Sequence, residues 1–285
     1  MKVPLYAEQA GHRVAVKDTF GIVRTDLWAS GTDYDVLGIV GSEYTLLQNK
    51  EAFAFFDPIV GEGAAIYHTA GVLGGGERIW ILAKLPDDIR VAGDDIVNKY
   101  LLLSNSHDGT SAVQVKFTPI RVVCENTLTM ALSQGPTIRV AHTRHLHERL
   151  RHAEKLFGIV HKRFDDIEKA FTAMVAVQMK NGRLPEYLQL VFPDPQDPEN
   201  EKAKKRVDVS RARAEYFFGN GKGNNQGGVR GTLWAAYNGI AELVDHRQTQ
   251  QSDDRRLDSV WFGSGYTTKA RAFDIARTKI EAWCN

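Results

Sequence analysis

Twice in the first half of the chain an apolar run meets a short glycine-bearing turn and is followed by a second apolar run. That pattern limits the folds open to it. AIYHTAGVL and RIWILAKL flank Gly74, Gly75 and Gly76, and glycines supply the positive backbone angles of a tight hairpin. KYLLLSNSHDGTSAVQVKFTP repeats the arrangement, with Asp108-Gly109 as the turn and alternation through Val113, Val115 and Phe117. Two hairpins in series predict an antiparallel sheet of four or more strands. Upstream, VLGIV and YTLL, split by Gly41 and Ser42, predict a further hairpin, and Asn49 predicts the cap of a short helix ending near Pro58. Downstream, CENTLTMAL predicts a helix stopped by Gly135-Pro136, and TIRVAH one more strand.

The period then changes. From Leu146 apolar residues recur at Leu150, Ala153, Phe157, Val160, Phe164, Ile167, Phe171 and Met174. Steps of three and four residues place them on one stripe of a long helix, or of a helix pair broken near Gly158. Pro193, Pro195 and Pro198 among charges predict a linker. Beyond it the pattern predicts helices over Val207–Phe218, Gly231–His246 and Tyr266–Trp283. The expectation is an α+β protein, with an antiparallel sheet built from β-hairpins in the N-terminal half and a helical C-terminal half. Its parts are 1–142 (sheet with short helices), 143–192 (amphipathic helix or helix pair), 193–205 (linker) and 206–285 (three helices packing on the sheet domain).

At 43 % hydrophobic and 25 % charged residues, the chain is neither disordered nor collagen-like nor membrane-embedded. Two cysteines, Cys124 and Cys284, are too few for a disulfide framework, so a reducing cytoplasm is expected. The net charge of +1 hides a split. Residues 1–141 carry 12 Lys and Arg against 16 Asp and Glu, residues 142–285 carry 24 against 19, so a polyanion would be met mainly by the second half.

Familiar chemistry is sparse. His145, Glu148 and His152 would share a helical face and suit zinc, but no further ligand accompanies them, and Arg144, Arg149 and Arg151 would repel a cation; no metal and no cofactor is expected. Gly219 to Gly223 includes a Gly-Lys step without the following Ser or Thr of a phosphate loop, and Gly74 to Gly76 precede no helix, so neither nucleotide motif is present. Cys124, Glu125, His107 and Asp108 offer a nucleophile and bases. Catalysis by them requires hydrogen-bond reach, and a buried thiol and a simple turn are the plainer readings.

The strongest signal is electrostatic. Between Lys202 and Arg230 stand eight cations (Lys202, Lys204, Lys205, Arg206, Arg211, Arg213, Lys222, Arg230) against Asp208 and Glu215, with Tyr216, Phe217 and the loop GNGKGNNQGG among them. Cations neutralise phosphates and aromatic rings stack on unpaired bases. A mobile connector whose aromatics belong to a core is the alternative.

The runs VLGIVGSEYTLLQNKEAFAFFD, GERIWILAKLP, YLLLSNSHDGTSAVQVKFTPIRVVCENTLTMAL and GTLWAAYNGIAELVDHR resemble the phage/plasmid-like protein family known as domain of unknown function 932. HDGTSA and TPIRVVCENTL are the most specific pieces. The resemblance implies a protein of mobile elements and brings no activity with it. Two hairpins followed by a helix are also similar in outline to phage single-strand annealing recombinases of the Red-beta and Erf types, in which a sheet and helix form a groove for unpaired DNA. Together these readings lead to a cytoplasmic, homo-oligomeric, non-enzymatic protein binding single-stranded DNA or RNA in replication or recombination. Phosphates would be held by Arg121, Lys204, Lys205, Arg206, Arg211, Arg213, Lys222 and Arg230, with Tyr216 or Trp80 stacking on bases. Asp108 and Asn126 would orient groups at the hairpin–helix junction. Two alternatives remain: a nucleic-acid- or nucleotide-processing enzyme using His107, Asp108, Cys124 and Glu125, and a host-defence inhibitor built around the Leu146–Met174 stripe.

Overall fold

The computed structural model describes residues 1–31, 36–61, 65–124, 126–127, 137–148, 160–246 and 252–284. Strands fill the first half and helices the second, so the chain is α+β as its periodicities predict. Contacts divide it into two units that do not follow chain order. One comprises Met1–Pro86, Leu101–Phe117 and Thr137–Gly158, the other Asp87–Tyr100, Thr118–Pro136 and Ile159–Asn285.

The first unit holds a small antiparallel sheet, β1 (Lys2–Gln9), β2 (His12–Ile22) and β3 (Gly38–Gly41), in the order β1-β2-β3. β3 pairs with β2, from Thr19 opposite Gly41 to Ile22 opposite Gly38. The run Tyr44–Leu47, expected to pair with Val36–Val40, forms no strand. Its side chains point into the unit instead: Leu47 is buried, and Tyr44 donates to the Ser106 carbonyl at 2.7 Å and stacks on His142 at 4.6 Å between ring centroids. Four apolar residues can pair with any free edge, and β2 offers a longer one than Tyr44–Leu47. Between Ile22 and β3 lies the short helix α1 (Thr25–Ser30).

The two hairpins predicted in series are present. β4 (Ile66–Leu73) pairs with β5 (Arg78–Lys84) across the glycine turn, and β7 (Asp95–Ser106) turns at Asp108-Gly109 into β8 (Val113–Arg121). Within this unit the later part of β7 and the earlier part of β8 join β4, β5 and β10 (Thr137–Val140) in the order β10-β8-β7-β5-β4. The interior of β5 is buried at every position, from Ile79 to Ala83, as a continuous apolar run requires of a strand covered on both faces. Gly71 lies opposite Trp80, and a Cβ on it would sit 2.6 Å from the indole. The ring therefore fills the space that glycine leaves, and Trp80, expected to be a base-stacking candidate, is a core residue at 9 % exposure. The helix expected after Asn49 is α2 (Asn49–Gly61), which runs past Pro58.

The second unit takes the remainder of β7 and β8, flanked by β6 (Ile89–Ala92) and β9 (Asn126–Thr127). The helix expected over CENTLTMAL is replaced at its start by a turn at Cys124 and by β9, which pairs with Ile120 and Arg121; 128–136 lie outside the described residues. Among the described residues six helices follow: α3 (Val160–Ala176), α4 (Arg183–Val191), α5 (Glu201–Asn220), α6 (Leu233–Asp245), α7 (Asp253–Trp261) and α8 (Ser264–Trp283). The stripe positions Phe164, Ile167, Phe171 and Met174 are all buried. Phe171 meets Trp234 at 4.6 Å and Phe273 at 6.0 Å between ring centroids, so this part of the stripe is core and presents no free docking face. The positions from Leu150 to Phe157, and Gly158, lie outside the described residues. α6 is buried almost all round, because α3, α5, α8 and β9 pack against it. The Thr232 hydroxyl caps it by accepting from Ala235 N–H. α5 begins at Glu201, capped by Asn200, so the cations that were to be linker are helical. α4 lies within 143–192, the segment expected to be a helix or helix pair, and α7 falls outside the helices expected after the linker. Among the described residues no helix is long and apolar enough to cross a membrane.

A Cβ on Gly38 would lie 2.3 Å from the Asp108 Cα and 2.5 Å from its carbonyl oxygen, so β3 packs against the Asp108 main chain with no room for a side chain. Gly38→Ala should lower stability by about 1–3 kcal/mol, the usual cost of overpacking, read by urea denaturation. Burial depresses the pKa of His107 and of His142. His142 Nδ1 donates to the Thr45 carbonyl at 3.0 Å, and its Nε2 is buried without a hydrogen-bond partner among the described residues. The native state thus binds fewer protons than the unfolded chain. Stability is complete above the unfolded imidazole pKa of about 6.5 and falls as pH drops below it. The melting temperature should decline between about pH 7.5 and about pH 5.5, and His142→Gln should shrink that decline.

Candidate nucleic-acid interface

α5 carries most of the cations that the sequence singles out. Positions spaced by three and four residues share a helix face, which places Lys202, Lys205, Arg206, Val209, Arg213 and Tyr216 side by side. All six are exposed, Tyr216 at 61 %. The opposite side, with Ala214 buried, packs on α6. Among the described residues, Lys202, Lys205, Arg206 and Arg213 have no ion-pair partner. Exposed Glu201, Asp208 and Glu215 follow one another at seven-residue intervals along a neighbouring strip of the helix. Lys204 is held by Glu201 at 2.9 Å. Arg211 donates to the Phe192 carbonyl at 3.0 and 2.6 Å and pairs with Asp194 at 2.8 Å. It ties the proline-rich segment to the helix, and its charge is largely engaged there.

The glycine-rich loop after α5 is packed in part, unlike the solvated connector of the alternative reading. Lys222 and Arg230 are exposed, but Gly221, Asn224 and Val229 are buried. Gly223 has φ +76°, and a Cβ there would lie 2.4 Å from Val123; only glycine meets both conditions. The loop is fastened from within by Arg121, which was expected to hold phosphate and instead has 0 % side-chain exposure. Its Nε donates to Asp95 at 2.8 and 3.0 Å, and Nη2 to Asp95 Oδ2 at 2.8 Å and to the Gly223 carbonyl at 3.0 Å. Nη1 donates to the Lys222 carbonyl at 3.2 Å and to Asn224 Oδ1 at 2.9 Å. All five guanidinium N–H groups are thereby engaged. Trp234 Nε1 adds a donor to Asp95 at 2.7 Å, and Asn224 Nδ2 donates to the carbonyls of Phe217 and Ala235. Glu242 accepts from the Lys222 N–H at 3.0 Å; burial pushes its carboxyl pKa up, against that hydrogen bond.

The expected junction residues serve other purposes. In the first unit His107 Nε2 bonds Asn49 Oδ1 at 2.7 Å, and Asp108 accepts from the Ser106 hydroxyl and from Thr110 N and Oγ1 at 2.9 and 2.6 Å. Burial opposes the Asp108 charge, but those donors outweigh it and hold the pKa below the ordinary value. This is a carboxylate shaping its own turn. In the second unit Cys124 is buried, and its carbonyl meets His246 Nε2 at 3.1 Å. Asn126 contributes backbone to β9; its side chain, like Glu125, lies outside the described residues. Next to β9, fully buried Lys269 donates to Asp245 at 2.6 Å and to Thr127 O and Oγ1 at 2.9 and 2.5 Å; burial depresses its pKa and Asp245 restrains the fall. Of the metal trio, His145 pairs with Glu148 at 3.4 Å, both exposed, and His152 lies outside the described residues.

Sequence reasoning missed Asp95, Asn224, Trp234 and Glu242, the groups that hold the loop. Removing one member of the buried pair strands the other charge, which costs about 3–5 kcal/mol. Asp95→Ala should destabilise the chain by about that much in urea denaturation, and Arg121→Ala likewise, while Arg213→Ala should leave stability within about 0.5 kcal/mol.

A family model described as "Domain of unknown function (DUF932)" matches residues 36–261. No curated protein and no solved structure matches the chain. With most of its length inside that match, the chain belongs to the DUF932 family.

Proposed function

We propose that this chain is a single-stranded nucleic-acid-binding protein of phage or plasmid origin, acting in replication or recombination in the cytoplasm as a homo-oligomer. The observation that carries the reading is the outer face of α5, where Lys202, Lys205, Arg206 and Arg213 are exposed beside Tyr216. Lysine and arginine neutralise backbone phosphates without regard to sequence. A tyrosine at 61 % exposure offers its ring to an unpaired base, worth about 1–3 kcal/mol per stacked base. Lys222 and Arg230, exposed in the loop beyond the helix, add two further cations. Lys202 also stands in the first turn of α5, where the helix dipole disfavours positive charge, so its charge serves a bound anion better than it serves the helix.

The test is binding of a labelled oligonucleotide as a function of salt. Each phosphate contact on a single strand contributes a slope of about −0.7 to log K against log salt. Lys205→Ala with Arg206→Ala should therefore reduce the slope by about 1.4, and Tyr216→Ala should weaken binding while leaving the slope in place. All three positions are exposed, so the melting temperature should not change. No binding at about 50 mM salt, or binding indifferent to salt, would overturn the reading.

A further inference from the structure

The first unit contains a cleft of about 550 Å³, within the roughly 300–1,000 Å³ range of small-molecule sites. Ile22 and Ile79, both buried, line it, together with Val72, the cross-strand neighbour of Ile79. These branched side chains make a surface suited to a flat ring. The start of α2 adds Gln48, Asn49 and Lys50, all exposed, and β7 leads into His107. His107 Nε2 donates to Asn49 Oδ1. Among the described residues this leaves the Asn49 amide nitrogen as a donor and, since burial depresses the His107 pKa, its Nδ1 as an acceptor. The Gln48 carboxamide supplies one more of each kind.

Two cationic side chains line the cleft, and they differ. The Arg24 guanidinium is engaged by Asp26 at 2.7 Å and by the Gly75 carbonyl at 3.3 Å. Lys50 has no ion-pair partner among the described residues. The cleft thus combines an apolar floor, carboxamides of the kind that pair with base edges, and one uncommitted ammonium. We propose that it binds a nucleotide, with the base against Ile22, Val72 and Ile79, the base edge at Gln48 and Asn49, and the phosphate at Lys50. Neither α5 nor the nucleic-acid reading is needed for this. A free mononucleotide and the phosphorylated end of a strand offer the same chemistry.

Calorimetric titration of the full chain with the 5′-mononucleotides, the matching nucleosides and inorganic phosphate tests it. At least one mononucleotide should bind. Val72→Trp, which fills the cleft from an exposed position, should abolish that binding. Lys50→Ala should weaken the nucleotide by about tenfold and leave the nucleoside unchanged, a split that a merely structural lysine would not produce. It stands whether or not Val72→Trp folds. Lys205→Ala with Arg206→Ala should leave mononucleotide binding intact, which separates this site from the α5 face. Displacement of the nucleotide by a 5′-phosphorylated oligonucleotide, but not by its unphosphorylated form, identifies a strand end as the occupant; failure of both to displace it identifies the free nucleotide. No binding of any mononucleotide at millimolar concentration, unchanged affinity in well-folded Val72→Trp, or inorganic phosphate binding as tightly as the nucleotides would overturn the proposal.

Discussion

The ion pair between Arg121 and Asp95 is the contact on which the second unit is organised. Both side chains are withdrawn from water, and such withdrawal is tolerable only when the remaining hydrogen-bonding capacity is met. Here it is met by carbonyls of the glycine-rich loop, by Asn224 and by the Trp234 indole. The loop is thereby drawn onto β8, and α6, which begins just before Trp234, is oriented by the same carboxylate. A segment whose composition suggests mobility is in this way fixed at several points, and its exposed cations are carried on a defined backbone.

That fixation separates two roles that sequence lumps together. Nine positively charged or aromatic positions look alike in the primary structure, yet they divide by environment. Arg121 is internal cement, Arg211 and Lys204 hold neighbouring carbonyl and carboxylate groups, and Lys205, Arg206, Arg213, Lys222, Arg230 and Tyr216 face water. The water-facing set is where a polyanion can act without first breaking protein contacts. A cation already paired must exchange one partner for another, with little net gain.

Much of the fold was legible where one physical signal dominates. The hairpins β4–β5 and β7–β8 follow from glycine turns between continuous apolar runs, and Phe164, Ile167, Phe171 and Met174 follow from helical spacing. β1 and β2 were not legible, because most of their side chains face solvent and no one-sided alternation marks them. Tyr44–Leu47 was misassigned because a short apolar run can fill a core without being a strand. The burial of Arg121 was hidden for another reason. Its partner Asp95 precedes it by 26 residues and the loop carbonyls follow it by 101 and 102, and local sequence carries no trace of such pairings. Within the candidate site the sign of the charge was readable, and its accessibility was not.

The contrast between β1–β2 and β7 has a consequence for the time course of opening. Past Thr19 toward its tip at Ala10-Gly11, the β1–β2 ribbon has no third strand among the described residues and has solvent on most of its surface, whereas β7 from Tyr100 to Ser106 is buried throughout. An isolated two-stranded ribbon is barely stable in water. Its amide protons will trade with deuterium early, and those of β7 will hold until the surrounding unit comes apart. The chain thus carries a graded clock, running fastest in the segment that precedes the family-matched region.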